Sequence, residues 1–170
     1  MRLAAILLAL ALAGCAQLPK ATVDAGEARL SGRLSVTVAG DVHRRGTGGA
    51  ASFELFGNAD AGRLELTSPL GALVARAHWQ AGEATLETPG EQRRFDNLDA
   101  LTREMLGETV PVAALFDWLR ARPWPAAPHH KTETGFEQLG WRIEPRLPSL
   151  VATRVTEPTV TLRAKLDEGS

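Results

Sequence analysis

Between Ala28 and Phe95 apolar side chains recur at every second position, over 96–122 at every third or fourth, and from Trp141 to Leu166 at every second again. A two-residue period belongs to a strand that buries one face, and a three- to four-residue period to a helix with one apolar stripe. The chain therefore reads as sheet, helix pair, sheet. Helices with an apolar stripe must bury it, and the concave side of a curled sheet is the partner available. A cup with a helical cover is the expected shape.

The first strand is the clearest. Leu30, Gly32, Leu34, Val36 and Val38 alternate with Arg29, Ser31, Arg33, Ser35 and Thr37. Residues 40–49, rich in glycine and charge, read as a loop. Short strands are expected over 52–56, 63–67, 72–79, 83–87 and 92–95. They are separated by the turn signals Gly57-Asn58, Gly62, Ser68-Pro69-Leu70-Gly71, Gly82 and Pro89-Gly90. Short strands at regular spacing predict an antiparallel sheet that curls.

Asp96 or Asn97 is placed to cap a helix whose face carries Leu98, Leu101, Met105 and Leu106, with Gly107 as its stop. Pro111 suits the first turn of a second helix. Its apolar face is Val112, Leu115, Trp118 and Leu119, and Arg120 and Arg122 complement its C-terminal dipole. Pro123-Trp124-Pro125 ends it. Strand signals resume at Trp141 and Ile143, and 151–157 and 159–166 form a hairpin around Pro158.

The N-terminus is of another kind. Arg2 precedes an unbroken apolar run, Leu3 to Leu12, and small residues then lead to Cys15, the only cysteine. A membrane span needs roughly 17–25 apolar residues, so this run is too short. It has the charged start, apolar middle and small-residue end of a signal peptide. The cleavage point abuts a cysteine, which resembles the bacterial lipobox. Residues 1–14 are then a signal, Cys15 carries lipid, 15–27 are a tether, and 28–170 are one domain. The competing reading is an ordinary secreted protein with a stray cysteine. Stable attachment takes more than one acyl chain, and a lipobox cysteine receives a diacylglycerol and an amide-linked chain.

Lys and Arg number 19 against 20 Asp and Glu, a net charge of −1. Nucleic-acid binding rests on clustered Lys and Arg, which this balance does not supply. No glycine-rich phosphate loop, nucleophile elbow or Cys–His pair is present, so neither an enzyme nor a cofactor is indicated. His129-His130, in a Pro-flanked loop, lacks the spacing of a metal site. His43-Arg44-Arg45 is a small basic loop that reads as solvated, with contact to lipid phosphate or an acidic protein as the alternative.

Gly32-Arg33-Leu34-Ser35-Val36, Leu64-Glu65-Leu66-Thr67-Ser68-Pro69-Leu70-Gly71, Leu115-Phe116-Asp117-Trp118-Leu119 and Trp141, behind a lipobox and tether, resemble the LolB family of outer-membrane lipoprotein receptors. The resemblance implies an unclosed antiparallel β-barrel with a helical lid. It also implies a cavity for acyl chains delivered by a LolA-like periplasmic carrier, and insertion of the lipoprotein cargo into the outer membrane. A monomer is expected. Leu70, flanked by Pro69 and Gly71, is on this resemblance a protruding leucine that enters the membrane; a turn leucine folded back on the barrel is the competing reading. Leu101, Met105, Leu115, Trp118, Leu119 and Trp141 are candidates for the cavity or its lid, or else ordinary core. A structural lipoprotein that binds a protein partner in the same cup is the rival function.

Overall fold

The computed structural model describes residues 29–40, 42–43 and 45–169. The expected signal 1–14, Cys15, the tether 15–27 and Arg44 of the basic loop lie outside them.

The alternating stretch at the start forms β1 (Arg29–Val38), with Leu30, Gly32, Val36 and Val38 buried. It is followed by β2 (Thr47–Gly57), β3 (Gly62–Thr67), β4 (Leu73–Gln80), β5 (Glu83–Thr88) and β6 (Glu91–Phe95). Helices α1 (Leu98–Leu106) and α2 (Val112–Trp118) come next. Then follow β7 (His129–Lys131), β8 (Phe136–Gln138), β9 (Trp141–Arg146), β10 (Ser149–Arg154) and β11 (Val160–Leu166). The eleven strands of the described residues join one sheet in the order β6-β5-β4-β3-β2-β1-β11-β10-β9-β8-β7, and every pairing among them is antiparallel. Two meanders are thus stitched together by the first and last strands. The edges β6 and β7 do not pair, so the barrel stays open. The segment that crosses from one edge to the other is the one carrying α1 and α2, which roof the concave side.

Local chemistry fixes the roof. The Asn97 side chain accepts from the Ala100 backbone N–H at 2.8 Å, and Gly107 stops α1 at φ 73°. Pro111 stands at the N-cap of α2. At its far end the Arg120 guanidinium donates to the Phe116 carbonyl at 2.6 Å, and Arg122 pairs with Asp117 at 3.0 Å. Between the helices the Thr102 hydroxyl donates to the Asp99 carbonyl and accepts from the Val110 N–H.

Two expectations need correction, and one strand had no sequence signal. The stretch 40–49 is not all loop, because Thr47–Ala51 extend β2 and pair with Leu34–Val38. Glycine hid this strand, yet only glycine fits there: a Cβ on Gly48 would lie 2.3 Å from the Val36 carbonyl oxygen. Close backbone approach of this kind is a recognised use of strand glycine. His129-His130 is strand rather than loop, since it pairs with Glu137 and Gln138. β8 itself, three residues long, is too short to announce a period. The outer face is polar; there Arg76 bridges Glu65 at 2.9 Å and Glu87 at 3.1 Å, which hold its guanidinium pKa above the ordinary value.

An apolar cavity beside an exposed leucine

The inward row of β2 runs Thr47, Gly49, Ala51, Phe53, Leu55, and that of β4 runs Ala75, Ala77, Trp79. Large side chains fill one end of the barrel and small ones leave the other end vacant. Trp79 closes the filled end by donating to the Asn58 carbonyl at 3.1 Å and meeting Phe116 of α2 edge to face at 6.0 Å. At the vacant end lies a cavity of about 340 Å³, within the range of natural ligand sites. Its walls are the inner faces of β1 to β5 and β11, and its roof is Leu98, Leu101, Met105 and Leu106 of α1 with Val112 and Leu115 of α2. Among the described residues no charged side chain lines it. Among the described residues the polar side chains on the wall are Thr47 and Thr102, and the Thr102 hydroxyl is already engaged by backbone.

The cavity opens at the end where β1 gives way to β2 and β3 to β4. Met105 and Val74, both on the wall, are 41% and 44% exposed and mark the mouth. The β3–β4 connection at the same end is the Ser68-Pro69-Leu70-Gly71 turn. The Gly71 N–H donates to the Ser68 carbonyl at 2.9 Å, the Ser68 N–H to the Ala72 carbonyl at 2.8 Å, and the Ala72 N–H to the Ser68 hydroxyl at 3.2 Å. Gly71 takes φ 81°, a conformation that suits glycine. Pro69 and this stitching present Leu70 at the tip with 97% of its surface in solvent. It is not folded back on the barrel.

The candidate residues divide by position. Leu101, Met105 and Leu115 are on the wall. Leu119 lies below it, at a small apolar gap shared with Phe53 and Leu55. Trp118, on the roof helix α2, and Trp141, on β9, are off the cavity wall and sit in the buried core. Trp118 is fully buried and points the other way, packing on Trp141 of β9 at 6.1 Å between ring centres. Its indole N–H donates to the Gln138 side-chain oxygen at 2.8 Å.

Gln138 was not singled out from the sequence. Its amide is used in full: the oxygen accepts from Trp118 Nε1 and from the Trp124 N–H, and the nitrogen donates to the carbonyls of Trp124 and Ala127. It clamps the chain that leaves α2. A second tie holds the loop between the helices, where Glu108 pairs with Arg154 of β10 at 2.9 Å, both mostly buried. Arg154 also donates to the Pro158 carbonyl at 2.7 Å. Neither tie joins neighbours in sequence, and only an acid or amide facing a distant strand would have signalled them.

The family model described as outer membrane lipoprotein LolB matches residues 27–146. The outer-membrane lipoprotein LolB of Bordetella petrii is 37% identical over 166 residues, covering 86% of this chain and 81% of its own. That of Chromobacterium violaceum is 33% identical, covering 80% and 77%. That of Thiobacillus denitrificans is 40% identical over a shorter match, 69% and 64%. With a half-open antiparallel barrel, a two-helix roof and a match over most of its length, this chain belongs to the LolB family.

Proposed function

We propose that the chain is an outer-membrane-anchored lipoprotein receptor. It accepts lipoproteins from a LolA-like periplasmic carrier, shelters their acyl chains in the cavity and inserts them into the outer membrane. The observation that carries this reading is a cavity with no charged side chain among the described residues of its wall, whose mouth stands beside a fully exposed leucine. An acyl chain in water costs about 0.8 kcal/mol per methylene, so roughly 12 kcal/mol for sixteen carbons. A charge-free wall removes that cost, and no chemical step is required. Cys15, outside the described residues, is the proposed anchor: its position directly after an apolar run and small residues supports lipidation there. Leu101, Met105 and Leu115 are the proposed acyl contacts, and Leu70 on its Pro69–Gly71 turn is the proposed membrane contact.

Displacement of a fluorescent fatty acid tests the cavity. A Cβ on Gly49 meets nothing within 4 Å, so Gly49→Phe places a ring in the vacant end without disturbing the sheet. Loss of several methylene contacts at about 0.8 kcal/mol each should weaken probe binding by about tenfold or more. Unchanged binding by a folded Gly49→Phe protein overturns the cavity assignment.

The Glu108–Arg154 pair sets how firmly the roof is held. Glu108→Gln removes the charge and keeps the shape. A loss of about 1 kcal/mol from the tie favours the open roof roughly fivefold. Stopped-flow release of the same probe should accelerate by about that factor; an unchanged rate means that the roof does not open at this loop.

A further inference from the structure

The first five residues of β2 overhang the sheet. Thr47 to Ala51 pair with β1 on one side, but β3 ends at Thr67, opposite Ser52. On the β3 side no strand among the described residues lies beside them. Thr47, Gly48, Gly49 and Ala50 are exposed, and among the described residues no other backbone hydrogen bond engages the five. Every second residue of an edge strand offers its N–H and C=O outward, and such edges are normally guarded by charge, proline or a covering element. The true edges of this sheet are guarded in that way. β6 carries Glu91, Arg93 and Arg94 and lies under α1, while β7 is three residues ending in Lys131. The overhang, Thr-Gly-Gly-Ala-Ala, has no charge and almost no side chain. All five of its residues also line the cavity, so the ledge is the rim of the mouth.

We infer that this ledge receives, by strand addition, the extended peptide that directly follows the lipidated first residue of the cargo. The inference rests on the acyl-chain reading above and deepens it. When acyl chains occupy the cavity, the cargo's first residue sits at the mouth and its next few residues must leave across the rim. The ledge is about 16 Å long at 3.3 Å per residue, enough for about five residues of cargo. Added strands are held through main-chain hydrogen bonds, and pockets for side chains supply any sequence preference. This ledge has open backbone and no such pockets. It therefore suits a receptor for cargoes that share a lipidated terminus and differ in sequence beyond it.

The test uses the full chain in lipid nanodiscs and three synthetic ligands. These are a triacylated cysteine amide, the same group extended by a Ser-Ala-Ser-Ala-Ser peptide, and that lipopeptide N-methylated at alternate residues. The unmodified lipopeptide should bind about tenfold or more tighter than the other two, as two or three added hydrogen bonds imply. It alone should protect the amides of Thr47–Ala51 from hydrogen exchange. Equal affinity of the plain and N-methylated lipopeptides, or no protection over 47–51 while all three ligands bind, overturns strand addition and leaves the cavity reading standing. If none of the three binds, the acyl-chain reading falls and this inference with it.

Discussion

Leu70→Glu should leave cargo acceptance intact and abolish delivery to membranes. Leu70 makes no packing contribution to the barrel, being 97% exposed, so its replacement costs little stability. Surface changes away from special features usually stay within about 0.5 kcal/mol. Burying a leucine in hydrocarbon yields roughly 1.5–3 kcal/mol, a ten- to hundredfold bias toward contact with lipid. Glutamate reverses the sign, since a carboxylate in hydrocarbon is strongly disfavoured. Ordered by Pro69 and the Ser68–Ala72 bonds, the tip presents its side chain with little further loss of entropy. The measurement mixes cargo-loaded carrier, receptor and liposomes, then follows cargo from carrier to receptor and from receptor to lipid. Transfer to the receptor should proceed at its normal extent and transfer to liposomes should stop. Leu70→Met, which keeps an apolar tip, should retain delivery. Normal delivery by Leu70→Glu refutes a membrane role for the turn.

Gln138→Leu should be the most damaging conservative-volume change in the domain. It strips the acceptor from the Trp118 indole and the Trp124 N–H, and the donor from two carbonyls. Each buried polar group left unpaired costs about 1–3 kcal/mol, and Trp118 has no access to water that would replace the bond. A loss of about 3–5 kcal/mol is expected from urea unfolding, a large share of a typical domain's 5–15 kcal/mol. Trp118→Phe should cost less, because the Gln138 oxygen keeps its bond to the Trp124 N–H. A loss below about 1 kcal/mol for Gln138→Leu means that this amide is not what positions α2. Because Trp118 lies off the cavity wall, Trp118→Phe should lower stability without changing affinity for the fatty-acid probe.

Much of the site was legible one element at a time. The turn that carries Leu70 could be read because Pro69 and Gly71 restrict the backbone locally. The α1 boundaries could be read because Asn97 and Gly107 act within a single helical turn. The face of α2 could not. A helix with one buried stripe declares its orientation, but α2 buries Val112, Ala114, Leu115, Phe116 and Trp118, which nearly surround it. Leu115 turns to the cavity, Phe116 to Trp79 and Trp118 to Trp141. A helix that is apolar all round carries no periodic clue to which neighbour each side chain meets.

By itself the sequence determined the alternation of strands, the pair of capped helices between them and the apolar tip at Leu70, since each depends on residues within a few positions of one another. Only the tertiary structure decided where the vacancy lies, that Trp118 is clamped by Gln138 rather than lining it, and that Thr47–Ala51 form its rim. Those outcomes depend on register. Val36 meets Gly49, Leu34 meets Ala51 and Leu66 meets Ala75, and it is this setting of a small residue opposite each larger one, beneath two helices, that leaves room for a hydrocarbon tail.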